Sequence, residues 1–267
     1  MASNFWTSTQ YRLTQEYNAV KEGPIIDDPH EKEKTIITSE ERKKLLIFYV
    51  DYIKELAKRT NLRQRVSATA GVYFHRFYRR RSFCDIEPFL LAGTALYLAS
   101  KVEESPLRLS LLIEKMHTYA NHFMYTYTQS DITNCEFYLL EALNCKLIVF
   151  HPYRGLIAYA KDAKLSSDDI ECAWHLANDS YNTDLLLRYP PYKIALTCIF
   201  IASVVRKIDN IHSWFCQLSD QDLQSICQIS ADLQKNIDKC RSNRVRIGPS
   251  STIQSKKVEI QLYMIYT

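Results

Sequence analysis

The chain has 267 residues, of which 46% are hydrophobic and 24% are charged, and its formal net charge is +4. A hydrophobic share of this size is enough to form a full core and excludes a globally disordered chain. Five glycines are too few for a turn-rich all-β architecture, and the small net charge does not by itself argue for nucleic-acid binding. We therefore expect a mostly helical protein with one large domain or two smaller ones.

The N-terminal segment, residues 1–37, predicts a short helix followed by a linker. Phe5, Trp6 and Tyr11 lie at helical spacing, and we expect this helix either to dock on its own domain or to act as an arm that contacts a partner. Proline and charged residues over 21–37 indicate a polar linker. The segment lacks the pattern of a secretory signal, and the eight cysteines include no C-x-x-C pair, which together indicate an intracellular protein with reduced thiols.

Residues 38–150 predict five successive helices. Thr38 and Glu41 form the signal of a capping box, which opens a helix that ends near Asn61. Apolar residues recur in steps of three and four in each of the segments that follow. These segments cover about residues 63–79, 88–104, 108–119 and 129–143.

The third of these helices, residues 88–104, is the central element of the prediction. Proline at its first position favours a helix start, and residues 89–100 carry no charge. This apolar run is too short to cross a membrane and suits a helix that is buried on all sides. Lys101, Glu103 and Glu104 then place a cluster of charges at the end of the buried helix.

The same apolar stretch recurs 103 positions later, where residues 191–203 align with residues 88–100 without a gap. Identical residues occupy the pairs 88/191, 92/195, 94/197, 99/202 and 100/203. A repeat at a fixed long offset indicates an internal duplication. Lys101 aligns with Val204, so only the first copy carries the lysine, and this asymmetry points to function.

Five further helical segments complete the second half, at about residues 153–163, 168–187, 191–206, 211–217 and 219–240. We therefore predict an all-α fold of two consecutive five-helix repeats with a short N-terminal helix. The predicted boundaries are 1–37 for the N-terminal helix and linker, 38–150 for the first repeat, 151–240 for the second repeat and 241–267 for a basic tail that we expect to be disordered.

The sequence contains none of the motifs that mark common catalytic or metal sites. It lacks a glycine-rich phosphate loop, H-E-x-x-H, G-x-S-x-G and a C-x-x-C zinc pattern, and its seven histidines lack the spacing of metal ligands. We therefore expect no catalytic residue, no metal and no cofactor, which favours a binding module. The alternative is a helical enzyme with an unrecognised motif.

Two five-helix repeats, with ALYLASKVEE closing the third helix of the first, resemble the cyclin family over about residues 39–240. Supporting segments are VYFHRFY (72–78), CEFYLLE (135–141), HPYR (151–154) and RYPPYKIAL (188–196). His75 stands where cell-cycle cyclins carry an aspartate. In this respect the chain resembles transcription-type cyclins. The resemblance implies a non-enzymatic regulatory subunit, located in the nucleus, that binds and activates a cyclin-dependent kinase of the Mediator kinase module. It also implies that other subunits of the Mediator kinase module are partners, and that the chain binds neither a membrane nor nucleic acid directly.

The resemblance also implies where the kinase binds. In cyclins a lysine of the third helix and a glutamate of the fifth meet the kinase, and these positions here are Lys101 and Glu136. Glu104, Phe137 and Leu140 are further candidates for the same surface. A lysine at the end of a buried helix also requires a carboxylate, because an unpaired buried charge costs about 3–5 kcal/mol. A purely structural salt bridge is the alternative.

A candidate second partner groove consists of Trp6, Trp174, Asn178 and Asp179. The last three lie on one helical face and suit a peptide from another Mediator-module protein, although core packing of Trp174 is an equal alternative. Two hypotheses for the whole chain also stay open: a cyclin of another transcriptional kinase, or a DNA-bound factor of the transcription factor IIB type, which shares the two-repeat helical fold. The latter predicts a basic groove and an N-terminal zinc ribbon, which the sequence does not favour.

Overall fold

The computed structural model describes residues 4–20, 33, 37–120, 126–208 and 211–246, and these residues form helices and connecting turns without a strand. Within the described ranges, a 3-10 turn, Phe5–Thr7, is followed by twelve α-helices whose bounds are defined. They are α1 Thr9–Val20, α2 Ser39–Arg59, α3 Gln64–Arg80, α4 Pro88–Val102, α5 Leu109–Ala120, α6 Gln129–Ala142, α7 Tyr153–Asp162, α8 Ser167–Ser180, α9 Leu185–Arg188, α10 Pro191–Arg206, α11 His212–Phe215 and α12 Asp220–Arg246. The predicted all-α fold is confirmed.

The helices fall into two compact units, which are described separately. One unit holds the described residues of the segments Pro24–Ile148 and Ser242–Thr267, and the other combines those of Met1–Gly23 with Val149–Arg241. The N-terminal helix α1 therefore groups with the second repeat in space, although it precedes the first repeat in sequence. Most of the predicted linker and the segment 247–267 lie outside the described residues. Among the described helices, none is long and apolar enough to span a lipid bilayer.

In the first unit, α4 is the central helix, as the sequence predicts. It packs against α2, α3, α5 and α6, and eleven of its fifteen residues are buried. Small residues along α4 permit this close packing: a Cβ added at Gly93 would collide with the side chain of Met116 on α5. The apolar composition of the helix therefore reflects contact with neighbours on every side.

The starts of α2 and α4 are set by local hydrogen bonds. Thr38 forms the predicted capping box: its Oγ1 accepts from the Glu41 N–H at 3.3 Å, and Glu41 Oε2 accepts from the Thr38 N–H at 2.9 Å. Pro88 occupies the first turn of α4, and the preceding Glu87 accepts from the N–H groups of Phe89 and Leu90 at 3.1 and 2.7 Å. Both starts are therefore encoded within three residues of the cap.

In the second unit, the predicted helix over 168–187 is wrong in one respect, because α8 ends at Ser180 and a turn precedes the short α9. The turn is held locally, since the Thr183 side chain donates to Ser180 O at 2.7 Å and the Asn182 N–H donates to Asp179 O at 3.1 Å. Tyr181 and Asn182 are almost fully buried there. Local hydrogen bonds among polar residues therefore end α8, and Tyr181 packs into the core at the turn.

The N-terminal helix docks on this second unit. The Gln10 side-chain amide pairs with the backbone of Phe150, accepting from its N–H at 2.6 Å and donating to its carbonyl at 3.4 Å. Further along α1, the Tyr17 hydroxyl donates to Asp184, and the Asn18 amide donates to Arg188 O at 3.0 Å. Of the two roles open from sequence, docking on its own protein is therefore the one the structure supports for α1.

The last helix, α12, is longer than the sequence predicts. It continues to Arg246, so residues 241–246 of the predicted disordered tail are helical. The pattern weakens there because the segment is polar and basic, yet such residues are compatible with a helical backbone.

Candidate functional site

Lys101 and Glu136, which the sequence places 35 positions apart, form a bidentate ion pair. Lys101 Nζ donates to Glu136 Oε1 at 2.6 Å and to Oε2 at 2.8 Å. Lys101 lies in the last turn of α4, and Glu136 lies in the middle of α6 directly after the buried Cys135. Because α4 and α6 pack against each other, the end of the apolar helix is brought to the carboxylate.

The burial of the pair differs from the expectation. The Lys101 side chain is 45% exposed, whereas that of Glu136 is only 12% exposed. The argument that a buried lysine requires a carboxylate is therefore wrong for Lys101, because its amine reaches solvent at the end of α4. The group that depends on its partner is the Glu136 carboxylate, whose desolvation is offset by two hydrogen bonds from the ammonium group.

Lys101 has a second contact that we did not predict. Its Nζ lies 4.2 Å from the centroid of the Tyr97 ring, which precedes it by one turn of α4. This distance is within the range of a cation–π interaction. The available sequence signal was the spacing of four residues between Tyr97 and Lys101, which puts both on the same side of a helix.

The other predicted residues of this surface differ in exposure. Phe137, next to Glu136 on α6, has 68% of its surface exposed, whereas Leu140 is half-buried. Glu104 is exposed and adopts a left-handed backbone conformation with φ of 52° immediately beyond α4. Its N–H donates to Lys101 O at 3.2 Å. The surface is therefore a fixed ion pair beside an exposed aromatic ring.

Two exposed apolar residues of the same unit were missed. Tyr138 on α6 is 61% exposed, and Ile148 in the segment after α6 is 59% exposed. The signal for Tyr138 was present, because it falls outside the buried stripe of α6 that contains Ile132, Cys135 and Leu139. Exposed aromatic residues are enriched at protein interfaces, so this surface suits a protein partner.

The start of α6 and the segment that follows it are anchored to the core. Tyr127, just before α6, donates its hydroxyl to Glu87 Oε2 at 2.7 Å, and its N–H donates to His117 Nε2 at 3.1 Å. Beyond α6, the carbonyl groups of Lys146 and Leu147 accept from Arg76 and Tyr73 at 2.9 and 2.5 Å. These hydrogen bonds attach the segments on both sides of α6, the helix that carries Glu136, to neighbouring helices of the same unit.

Burial shifts the titration of these anchoring groups. Desolvation raises the pKa of the Glu87 carboxyl, although hydrogen bonds from Leu90, Tyr127 and Phe89 oppose the shift. Desolvation also lowers the pKa of Arg76 to about 10. Burial raises the pKa of the Cys135 thiol to about 11, which keeps it protonated and unreactive near neutral pH.

Within the described parts of the chain, no group of histidine, cysteine or acidic side chains is arranged to hold a metal ion.

An open groove of about 740 Å³ lies elsewhere in this unit, along α2 and the beginning of α3. Asp51, Glu55 and Lys58 are among the side chains that line it, and none of the predicted site residues does so. Its mixed charges and open form give no specific indication of a ligand.

The candidate second partner groove is only partly brought together. Trp174 stacks on Tyr153 with ring centroids 4.5 Å apart, and Asn178 Oδ1 accepts from the Tyr153 hydroxyl at 2.8 Å. Asp179, the next residue of α8, is half-buried. Trp174 thus has a packing partner but keeps part of its surface exposed.

Trp6 belongs to a different aromatic cluster of the second unit. Its ring lies 5.2 Å from that of Tyr11 and 5.8 Å from that of Tyr192, measured between centroids. It remains 50% exposed. The structure therefore groups Trp174 with Asn178 around Tyr153 and gives Trp6 separate neighbours.

Comparison with known proteins supports one family. The family described as "Cyclin, N-terminal domain" matches residues 9–148. The chain is 40% identical over 237 residues to Cyclin-C of Rattus norvegicus, an alignment that covers 86% of this chain and 81% of that protein. It is 42% identical over 236 residues to Cyclin-C1-1 of Oryza sativa subsp. japonica, covering 87% and 88%.

Solved structures show the same fold at lower identity. A chain of the CAK complex of Chaetomium thermophilum bound to ATP-gamma-S is similar with a TM-score of 0.70 at 18% identity, covering 96% of this chain and 88% of that chain. A chain of the yeast TFIIK complex has a TM-score of 0.65 at 23% identity, covering 86% and 100%. Together with the family match and the identity to Cyclin-C proteins, the two-repeat helical fold leads to one conclusion: this chain belongs to the cyclin family.

Proposed function

We propose that this cyclin binds and activates a cyclin-dependent kinase of the Mediator kinase module and thereby regulates transcription by RNA polymerase II in the nucleus. About 40% identity over most of the chain to Cyclin-C proteins of a mammal and an insect supports this choice within the family. The solved relatives, a CAK complex and TFIIK, support the cyclin fold. We further propose that residues 38–150 and 151–240 are the two cyclin boxes.

The single observation that carries the proposed site is the ion pair of Lys101 with Glu136. It is preformed in the free chain, half of the lysine side chain reaches solvent, and Phe137 lies exposed beside it. A partner that docks here meets fixed hydrogen-bonding groups and an apolar ring, so little side-chain order has to be created on binding. Glu104 and Leu140 extend the same proposed surface.

Activation then follows from positioning rather than from chemistry on this chain. A protein kinase requires an ion pair between a lysine of its third strand and a glutamate of its C-helix for phosphoryl transfer. A cyclin that binds this helix holds the glutamate in place. We expect the two proteins to bury at least roughly 1,600 Å² in total, which is typical of a stable and specific complex.

The test is co-expression of the chain with the Mediator-associated kinase, followed by assays of complex formation and kinase activity. Lys101→Glu places a second carboxylate against Glu136 and is expected to weaken binding at least about 100-fold. The matched control is Lys43→Glu on α2, where the lysine side chain is 62% exposed. The control should bind and activate as the wild type does.

Other outcomes separate the alternatives. If the wild type fails with this kinase but activates another transcriptional kinase, the proposed site survives and the Mediator assignment is wrong. If the chain binds no kinase and retains DNA, the proposal fails in favour of a transcription factor IIB-type role.

For the second partner groove we propose a peptide of another Mediator kinase-module subunit as the ligand. The support is Trp174, which is stacked on Tyr153 yet partly exposed, with the Asn178 amide beside it. Asp179 and Trp6 are the outlying members of the proposal. Trp174→Ala should reduce binding of the module's other subunits while kinase binding is unchanged, and Trp174→Phe should retain part of it. A Trp174→Ala protein that binds every subunit with wild-type affinity would remove this proposal.

A further inference from the structure

Lys101 is held by two independent contacts, of which only one is an ion pair. Glu136 accepts two hydrogen bonds from the ammonium group of Lys101, and the centroid of the Tyr97 ring lies 4.2 Å from the same nitrogen. The carboxylate comes from α6, whereas the ring comes from α4 itself. The lysine is therefore restrained by its own helix as well as by its neighbour.

Restraint by Tyr97 matters because lysine is a long and flexible side chain. A half-exposed lysine samples many rotamers, and a carboxylate on one side does not by itself select among them. A ring one helical turn earlier restricts the direction in which the four-carbon chain lies. The two contacts together define a single position for the ammonium group.

The second repeat lacks this arrangement. Phe200 occupies the position that corresponds to Tyr97, but Val204 replaces the lysine, and the Phe200 ring packs against Phe215 at 5.4 Å between centroids. In the second repeat, the ring of Phe200 therefore packs against another aromatic ring. In the first repeat, the ring of Tyr97 faces the Lys101 ammonium group at the end of the helix.

We propose that Tyr97 is a positioning residue, whose ring holds Lys101 in the conformation that binds Glu136 and meets the kinase. This inference rests on the proposed function, because it assumes that the kinase docks at Lys101. Tyr97 acts through the lysine, and its effect on the kinase disappears when the lysine is absent.

The test is a double-mutant cycle on kinase affinity with the full chain. The proteins are wild type, Tyr97→Leu, Tyr97→Phe, Lys101→Met and the double variant Tyr97→Leu/Lys101→Met. Loss of the ring should weaken kinase binding about three- to fivefold, as expected for a partly exposed cation–π contact. Tyr97→Phe retains the ring and should bind as the wild type does. The double variant should bind no more weakly than Lys101→Met alone.

A second measurement uses the free chain and does not depend on the kinase. In the NMR spectrum the Hε protons of Lys101, assigned by their loss in Lys101→Met, should be shifted upfield by the Tyr97 ring. The shift should persist in Tyr97→Phe and vanish in Tyr97→Leu. An unshifted Lys101 signal in the wild type would overturn the proposal.

The failures of the two proposals are distinguishable. If Lys101→Met binds the kinase as tightly as the wild type, the proposed docking site fails and the inference fails with it. If Lys101→Met weakens binding but Tyr97→Leu does not, only the positioning role is overturned. The same holds if Tyr97→Leu weakens binding equally with and without Lys101, since the ring would then contact the kinase directly.

Discussion

The central helices of the two repeats, α4 and α10, are alike in their cores and differ at their ends. Both begin with proline, and both are followed within two residues by a left-handed backbone, at Glu104 with φ of 52° and at Lys207 with φ of 54°. Hydroxyl groups at equivalent positions make the same bonds within each helix. They are Thr94 to Leu90 O and Thr197 to Lys193 O at 2.8 Å, and Ser100 to Tyr97 O and Ser203 to Phe200 O at 2.7 Å.

The difference begins one residue after the shared serine. In the first repeat Lys101 binds Glu136, whereas in the second Val204 is 62% exposed and is followed by Val205, which is 64% exposed. Positions inside the core are constrained by packing in both copies, but positions at the rim are not. The comparison teaches that a duplicated helix retains the residues that pack and changes the residues that meet solvent or a partner.

The largest predicted effect tests whether the two cores are equivalent. Leu91 and Ile194 occupy corresponding positions and are both fully buried. Leu91→Ala and Ile194→Ala should each lower the free energy of unfolding by about 2–5 kcal/mol, because each leaves a cavity in a packed core. Chemical denaturation measures both. A loss below about 1 kcal/mol for one of them would break the proposed equivalence of the repeats.

The next effect concerns the residue that differs. Lys101→Met should lower the free energy of unfolding by about 1–2 kcal/mol, because the Glu136 carboxylate, which is only 12% exposed, loses the ammonium group that it binds. Val204→Lys in the second repeat should change stability by less than about 0.5 kcal/mol, since it alters an exposed side chain. Equal effects of both changes on thermal unfolding would contradict the asymmetry.

A smaller effect tests the shared helix ends. Glycine adopts a left-handed backbone without strain, so Glu104→Gly and Lys207→Gly should each stabilise the free chain by up to about 1 kcal/mol. Thermal unfolding measures the gain. Kinase affinity sharpens the comparison: Lys207→Gly should leave it unchanged, whereas Glu104→Gly should weaken it if Glu104 belongs to the docking surface.

The smallest effect is a pH dependence confined to the first repeat. Glu87 precedes α4, whereas its counterpart before α10 is Pro190, which has no side-chain cap. Burial raises the pKa of Glu87 above its ordinary value of 4.5, so the stability it contributes is fully present below that value. It is lost as the pH rises through the raised pKa of the folded state, because the unfolded chain then ionises more readily. The free energy of unfolding of Glu87→Gln, followed against pH, should lack this decline, and an unchanged profile would contradict it.

Much of the fold was accessible from sequence because its signals are local. The uncharged run of α4, the proline before it and the capping box at Thr38 each depend on a few neighbouring residues, and the structure confirms all three. The break between α8 and α9 was missed although its signal is local, because residues 178–184 are all polar turn formers except Tyr181. The length of α12 was underestimated because a polar helix carries little periodic signal.

The candidate site also has features that were accessible from sequence and features that were not. Lys101, Glu136 and Phe137 were named from the cyclin resemblance, and Phe137 is exposed on α6. The sequence did not show how deeply each member of the ion pair lies. The exposure of a side chain depends on what packs beside it, and local spacing does not contain that information.

By itself, the sequence determined the all-α class, the duplicated central helix and the single lysine that distinguishes its two copies. Tertiary structure alone decided that α1 docks with the second repeat and that Glu136 rather than Lys101 is the buried partner. The physical reason is the distance along the sequence between the residues that interact. Helix formation depends on residues three or four positions apart, whereas the burial of a charge depends on a partner 35 positions away on another helix.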